Sequence, residues 1–482
     1  MKLRALLVIA MLDAAACSVG GIAVDLGGGL REGGSGGSGD AAAGAGAQVG
    51  GAGLNVDAGP MDVVCPDGKK TTISGTVWDP AGAVQLYNAV VYVPKVPGQL
   101  PGFEDTVACE KCTDSVPARA VTLSGPDGRF VLEDVPVGNV ELVVQLGKWR
   151  RKQTILVTNA CEDNPLTDRD LTRLPRTHAE GSIPKIALST GHSDALECLL
   201  RKIGLADSEF TTDAAAGRVN MFVGCEGDQA NKHTGASRFS AKLGGGSFPS
   251  TNQLFDSGKL SQYDVVIFSC EGHKCDTIQT ADHVAQLVDF ANRGGRVFLD
   301  HDHYNWLNHA EAPIESAAQF SSSPDGIPSP LATKINTAFP KGKAFAQWLV
   351  NVQASTELGA LDIYTAKTSV ESLSPNRAQS WIYRDEAPKG FFYFTIGTPV
   401  AVQDDDPAPE ACGRVVFTDL HLSKGGGGEP TASDFSDQET PFPDGCTTSQ
   451  LSAQEKALEF MLFDLSSCVQ QESATPTPPV VK

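Results

Sequence analysis

The chain predicts a multidomain protein in which a small antiparallel β-sandwich is followed by a doubly wound α/β domain. Two changes of pattern predict it. Residues 63–165 carry short alternating runs separated by Asp-Gly and Pro-Gly turns, whereas from about residue 180 apolar strands alternate with amphipathic helical stretches. A third observation bounds the whole: 482 residues exceed one ordinary domain, and 41% hydrophobic residues suffice to fill real cores.

Ahead of both domains, Lys2, Arg4, the apolar run 5–12 and Ala14-Ala15-Ala16 make a secretory signal over residues 1–17. The run is too short to span a bilayer, and small residues precede the cut. Cys17 follows at once. The arrangement resembles the lipobox of bacterial lipoproteins, which implies lipidation of Cys17 and a membrane anchor. With Ser18 in the next position, it also implies residence in the outer membrane; plain secretion is the alternative. Residues 18–62 are Gly-rich and lack aromatics, so they read as a disordered tether. A net charge of -20 argues against nucleic acid and anionic membrane surfaces as partners.

Twelve cysteines in an exported chain read as disulfides. Setting Cys17 aside leaves an odd number, so at least one thiol is free or pairs between chains. The simplest pairings are Cys65 with Cys161 across the ends of the sandwich, Cys109 with Cys112 as a short CxxC bridge, and Cys270 with Cys275.

Within the sandwich, Thr71-Ile73-Gly75-Val77 alternates before an Asp-Pro-Ala-Gly turn, and strands follow at 89–93, 121–123, 130–132 and 140–146. The segments ISGTVWDPAG, NAVVYV and GPDGRFVLEDVPVG are similar to the carboxypeptidase regulatory-like domain, a transthyretin-like sandwich. That resemblance implies a spacer or binding module rather than a catalyst.

The α/β region opens with a strand at 185–188. Ser193-Asp194 then caps a helix with Leu196, Leu199, Leu200 and Ile203 on one face. Strands follow at 218–223 and 263–269, the latter a continuous apolar run typical of a buried parallel strand. Thr280 starts a helix that Gly294-Gly295 stops, and 297–299 is the next strand. Residues 306–409 read as an irregular insertion, 414–417 as a last strand, and Ser452 with Glu455 as a capping box opening the final helix. Residues 471–482 read as a disordered tail. KIALSTGHSDALECLLRKIG, YDVVIFSCEG, DFANRGGRVFLDHDH and GRVVFTDLHLS resemble, in that order, the core of the class I glutamine amidotransferase-like superfold, particularly its ThuA-like branch. This implies a flavodoxin-like, amidotransferase-like domain over 180–470.

In such sheets ligands bind at the carboxyl ends of the strands. These ends carry His192, Cys270-Glu271-Gly272-His273, Asp300-His301-Asp302-His303 and Asp419-Leu420-His421. One chemistry is metal binding. On an extended backbone His301 and His303 point the same way, and Asp419, His421 or His192 supplies the remaining ligands of a site for one zinc or iron ion, with a position left for water. The other is a thiol nucleophile at Cys270, followed by Glu271, in a turn that resembles the amidotransferase elbow; a Cys270–Cys275 bridge would extinguish it. The leading expectation is a binding or structural role at the cell envelope, toward carbohydrate or an envelope protein. Its rival is a metal-dependent hydrolase using His301, His303 and His421, with Asp302 or Glu271 as general base. A scaffold with neither metal nor ligand is the third.

Overall fold

The computed structural model describes residues 59–191, 193–225, 239, 248–324, 326–402, 409–422, 442, 446 and 450–482. The signal segment with Cys17, most of the tether and His192 lie outside the described residues. Residues Leu54–Lys482 form one compact unit. It is rich in β-structure, with several sheets and few helices.

The first part contains β1 (Thr72–Thr76), β2 (Val90–Pro94), β3 (Ala118–Leu123), β4 (Arg129–Leu132), β5 (Gly138–Leu146), β6 (Trp149–Val157), β7 (Asp163–Pro165) and β8 (Gly181–Ser182). They make a three-stranded sheet, β4-β1-β7, and a five-stranded sheet, β3-β2-β5-β6-β8. Inward residues such as Ile73, Val91, Phe130, Leu132, Val140 and Leu142 fill the space between the two. A disulfide joins Cys65 to Cys161 across the ends of this part.

The second part begins with β9 (Ile186–Thr190), α1 (Leu196–Lys202), β10 (Phe210–Thr211), β11 (Val219–Val223), β12 (Val265–Phe268), α2 (Ala281–Asn292) and β13 (Arg296–Asp300). It continues with α3 (Asn305–Asn308), β14 (Ala318–Phe320), β15 (Leu331–Ile335), α4 (Pro340–Asn351), β16 (Ala360–Ile363) and β17 (Val370–Leu373). It closes with β18 (Gln379–Arg384), β19 (Gly390–Thr398), β20 (Gly413–Thr418) and α5 (Ala453–Ser466). One ten-stranded sheet runs in the order β10-β11-β9-β12-β13-β20-β19-β18-β15-β16. Its pairings are parallel from β10 through β20 and antiparallel beyond.

Successive residues of a strand face opposite ways, and the parallel strands obey this. Ile186, Leu188, Val265, Ile267, Phe298 and Val416 share a core with α1, α4, α5 and the sandwich. Ala187, Val266, Phe268, Val297, Leu299, Val415 and Phe417 share another with α2. Burial on both faces is why these strands read as unbroken apolar runs.

Several expectations are corrected. Residues 306–409 are no loose insertion: β15, β16, β18 and β19 extend the main sheet. The tail is ordered, with Val116 N–H donating to the Val480 carbonyl at 3.0 Å and Lys482 N–H to the Val116 carbonyl at 3.1 Å. Cys109 bonds Cys412 and Cys112 bonds Cys468, so the CxxC staples the β2–β3 loop to two distant segments instead of closing on itself. Cys198–Cys446 and Cys225–Cys275 complete five disulfides, the state of an oxidising compartment. Among the described residues no helix is long and apolar enough to cross a membrane.

The two parts meet on α5. Trp149, fully buried, packs edge-on against Phe463, and Trp348 Nε1 donates to the Gln85 carbonyl at 2.7 Å. Gly147, at φ +54°, turns the β5–β6 hairpin onto the helix end, where a Cβ would lie 1.8 Å from the Ser466 carbonyl oxygen. Lys148 Nζ donates to the buried Asp264 carboxylate.

Asp464 of α5 receives Lys341 Nζ at 2.7 Å and Arg414 Nη1 at 2.8 Å, all three side chains being almost wholly inaccessible. Burial alone would raise the Asp464 carboxyl, but Lys341 and Arg414 outweigh it and hold the group below the ordinary carboxylate value. Replacing it (Asp464→Ala) leaves two buried cations short of their counter-charge. We expect a loss of about 3–5 kcal/mol, read as a lower denaturant midpoint under non-reducing conditions.

Candidate functional site

The site grows from the carboxyl ends of four neighbouring strands, β9, β12, β13 and β20. Ser193 and Asp194 follow β9, Ser269 and Cys270 follow β12, His301 follows β13, and Asp419 to His421 follow β20. Among the described residues Cys270 is the free cysteine, and it is buried. The expected Cys270–Cys275 bridge does not form. Gly272, at φ +82°, turns the chain away after Glu271, and Cys275 pairs with Cys225 beyond the end of β11.

Cys270 Sγ lies 3.4 Å from His301 Nδ1 and receives Gly272 N–H at 3.3 Å. His421 stands across from His301, ring centroids 5.2 Å apart at 72°. One ligand atom from each of Cys270, His301 and His421 lies within 4.8 Å of the others. His421 Nδ1 faces the Thr365 carbonyl at 3.3 Å, a bond that protonates Nδ1 and leaves Nε2 with the free lone pair. Asp302 Oδ2 sits beside the group, 3.4 Å from His301 Nδ1 and 3.9 Å from Cys270 Sγ.

His303 goes elsewhere. Extended backbone ends at Asp300, and His301 enters a 3-10 turn (His301–Tyr304) with φ +39°, a left-handed value that strains a non-glycine residue by about 1–3 kcal/mol. In such a turn residues two apart no longer share a direction. His303 therefore points into the core, its Nε2 2.9 Å from the Ser269 carbonyl and its Nδ1 receiving Trp306 Nε1 at 3.3 Å. Both ring nitrogens are used, which removes His303 from the metal set.

The electrostatics follow from burial. Cys270 is pushed well above the usual thiol value by desolvation, with Asp300 and Asp302 adding to it, so it rests as a thiol. Desolvation first, then His421, Lys367 and His303, push His301 down to about 2, so it is neutral. Burial also lifts Asp302, although His421, Lys367, His273 and Lys274 draw it back. Glu271 is raised to about 8 by burial, and one of its oxygens, Oε1, has no partner among the described residues. A carboxyl that keeps its proton at neutral pH is no general base, which removes Glu271 from that expected place.

Two carboxylates take roles that the sequence did not assign them. Asp194, expected as part of a helix cap, leaves that position to Ala195, which offers no side-chain cap. Asp194 instead accepts Ala195 N–H and Leu422 N–H, and Asp300 Oδ2 accepts Cys270 N–H at 3.2 Å. Asp194, Asp300 and His421 form a second group with ligand atoms within 4.8 Å. Asp419, lifted to about 7 by burial, accepts Ser369 N–H at 2.7 Å and Ser369 Oγ at 3.0 Å.

No protein-family model matches the chain, and no curated protein matches it. Two solved structures are similar to 30% of it, both Coh3ScaB–XDoc type II cohesin–X-dockerin complexes of Acetivibrio cellulolyticus, one with a C-terminal and one with an N-terminal interface mutation. Identities are 14% and 13%, 75% and 78% of those chains are covered, and both TM-scores are 0.16, so the likeness carries no argument.

Glu271 gives a pH test. Its folded value, about 8, lies above the ordinary carboxyl value near 4.3. The folded state therefore holds the proton longer, and stability falls as pH rises between these two values and levels off above. Glu271→Gln removes that slope. Relative to the parent, the variant should gain on the order of a few kcal/mol between pH 5 and pH 9, read from denaturant midpoints at each pH.

Proposed function

We propose that the chain is an exported, envelope-anchored protein whose carboxyl-edge cluster is the centre of a metal-dependent hydrolase. In this reading the second part is a doubly wound, flavodoxin-like domain of the amidotransferase-like type, behind a carboxypeptidase regulatory-like sandwich. The anchor is the lipid on Cys17, and the five disulfides suit that compartment.

The observation that carries the proposal is the convergence of Cys270, His301 and His421 from three strand ends. One thiolate and two imidazoles select zinc, with iron the runner-up. The bond from His421 Nδ1 to the Thr365 carbonyl is the outer support that metal-ligating histidines use. Bound there, such an ion supplies a Lewis acid and lowers the pKa of water. Cys270 would hold such an ion as the thiolate, Asp302 Oδ2 would accept a proton from the water, and Lys367 and Lys274 place positive charge near Asp302.

The thiol-nucleophile reading is served less well. His301 turns the same nitrogen toward both Cys270 Sγ and Asp302 Oδ2, so Asp302 does not hold the far side of the imidazole as a triad requires. Burial also holds Cys270 as a thiol.

Metal content decides the matter. The full chain, purified from an oxidising compartment and measured by mass spectrometry, should carry about one zinc or iron per molecule. Cys270→Ala/His421→Ala should carry none. A parent with native disulfides that takes up no ion from excess zinc would sink the proposal.

A further inference from the structure

Cys270 and His421 are far apart in sequence, and something must hold their loops at a fixed spacing. We propose that Asp194 is the positioning residue of the centre, with Asp300 as its second jaw; this rests on the metal reading above.

Asp194 grips both sides. Its own N–H, like that of Ser193, donates to the Cys270 carbonyl at 3.0 Å. Its carboxylate takes Leu422 N–H, the residue after His421, at 3.0 Å from Oδ1 and 3.1 Å from Oδ2, while Oδ1 also accepts Ala195 N–H at 2.9 Å. One residue thus bridges the two loops that carry metal-ligating side chains. Gly191 permits the approach: a Cβ there would sit 2.3 Å from the Cys270 carbonyl oxygen and 2.5 Å from that of Asp194.

Asp300 works from the other side. Its Oδ2 accepts Cys270 N–H at 3.2 Å, so the Cys270 backbone is held at both its N–H and its carbonyl. Asp194 and Asp300 are 0% exposed, and their side chains hydrogen-bond each other, an interaction that favours the proton on Asp300. A carboxylate buried this completely costs several kcal/mol unless its bonds repay it. Asp194 does not cap α1, whose N-cap is Ala195, and its carboxyl instead joins the two loops of the centre.

The two carboxylates are therefore not equivalent. Asp194 uses both oxygens toward one N–H, so an amide puts a donor against a donor. Asp300 accepts from Cys270 with one oxygen and, as the protonated partner, donates to Asp194, and an amide offers both an acceptor and a donor.

The test compares Asp194→Asn and Asp300→Asn in the full chain, with zinc affinity measured against a chromophoric chelator and the spectrum of the cobalt(II) form recorded. Asp194→Asn should weaken zinc binding about 10–100-fold, the range for lost outer-shell partners, and alter the cobalt spectrum. Asp300→Asn should leave both close to the parent. A purely structural role would lower the melting temperature of Asp194→Asn while leaving its spectrum unchanged, and that result overturns the proposal. Should Asp194→Asn not fold, Leu422→Pro removes the N–H without touching either carboxylate and carries the same expectation. If the parent binds no cobalt or zinc, the metal reading falls, and the positioning role is then judged on Cys270 itself. Faster alkylation of that thiol by iodoacetamide in Asp194→Asn supports the role, and an unchanged rate refutes it.

Discussion

Helix α5 has almost no solvent face, and most of the structure is arranged around that fact. A helix buried on every side is ordinarily apolar all round, yet α5 carries Glu455, Glu459 and Asp464, all nearly inaccessible. Each is resolved differently. Glu455 closes its own helix through the capping box and receives Lys202 Nζ from α1 at 2.5 Å. Asp464 draws Lys341 from α4 and Arg414 from β20. Glu459 has no hydrogen-bond partner for either oxygen, and burial, with Asp79 of the sandwich adding to it, pushes it well above the usual carboxyl value, so it stays neutral. Glu455 and Asp464 thus fix α5 against α1, α4 and β20, and its aromatic residues Phe460 and Phe463 pack on Tyr87 and Trp149 of the first part.

The same helix reaches the candidate site. At its start, Gln454 Nε2 donates to the carbonyls of His421 and Tyr364. Those two segments bear His421 and, next to Tyr364, the Thr365 carbonyl that orients its ring. The position of the histidine is thus set by the packing of α5 as well as by the end of β20. The disulfides add to this: Cys112–Cys468 anchors the chain just past α5, and Cys109–Cys412 the chain just before β20. The sandwich is consequently part of the frame of the site, because its β2–β3 loop supplies Cys109 and Cys112.

How far the sequence reveals this depends on how local each signal is. The parallel strands were legible because burial on both faces writes a continuous apolar run, and the Ser452–Glu455 box because capping needs only residues three apart. Strand β19, Gly390–Thr398, carried a strong aromatic signal, but a single antiparallel strand gains meaning only from the partners that flank it, β18 and β20. Disulfide partners such as Cys112 and Cys468 are set by the tertiary path, which spacing does not encode. For the site, strand-end placement brought Cys270, His301 and His421 onto one rim, whereas the alternation rule failed for His303 at the 3-10 turn. Asp194 was read as a cap because an Asp before a helix usually is one. Its bond to Leu422 is made across the sheet.

The charge at the rim gives the last constraint. Asp194, Asp300, Asp302 and Asp419 gather there with Glu271 and a thiol, and burial lifts every one of them toward the neutral form. His301, the nearest base, is driven neutral too. Protonation is thereby favoured across the set, and a protonated acid serves such a rim as a hydrogen-bonding group. A central cation reverses the local logic: it ionises the thiol, favours the carboxylates and keeps the imidazoles neutral as ligands. Burial therefore favours the uncharged forms of the rim, and the ion proposed above would reverse that preference.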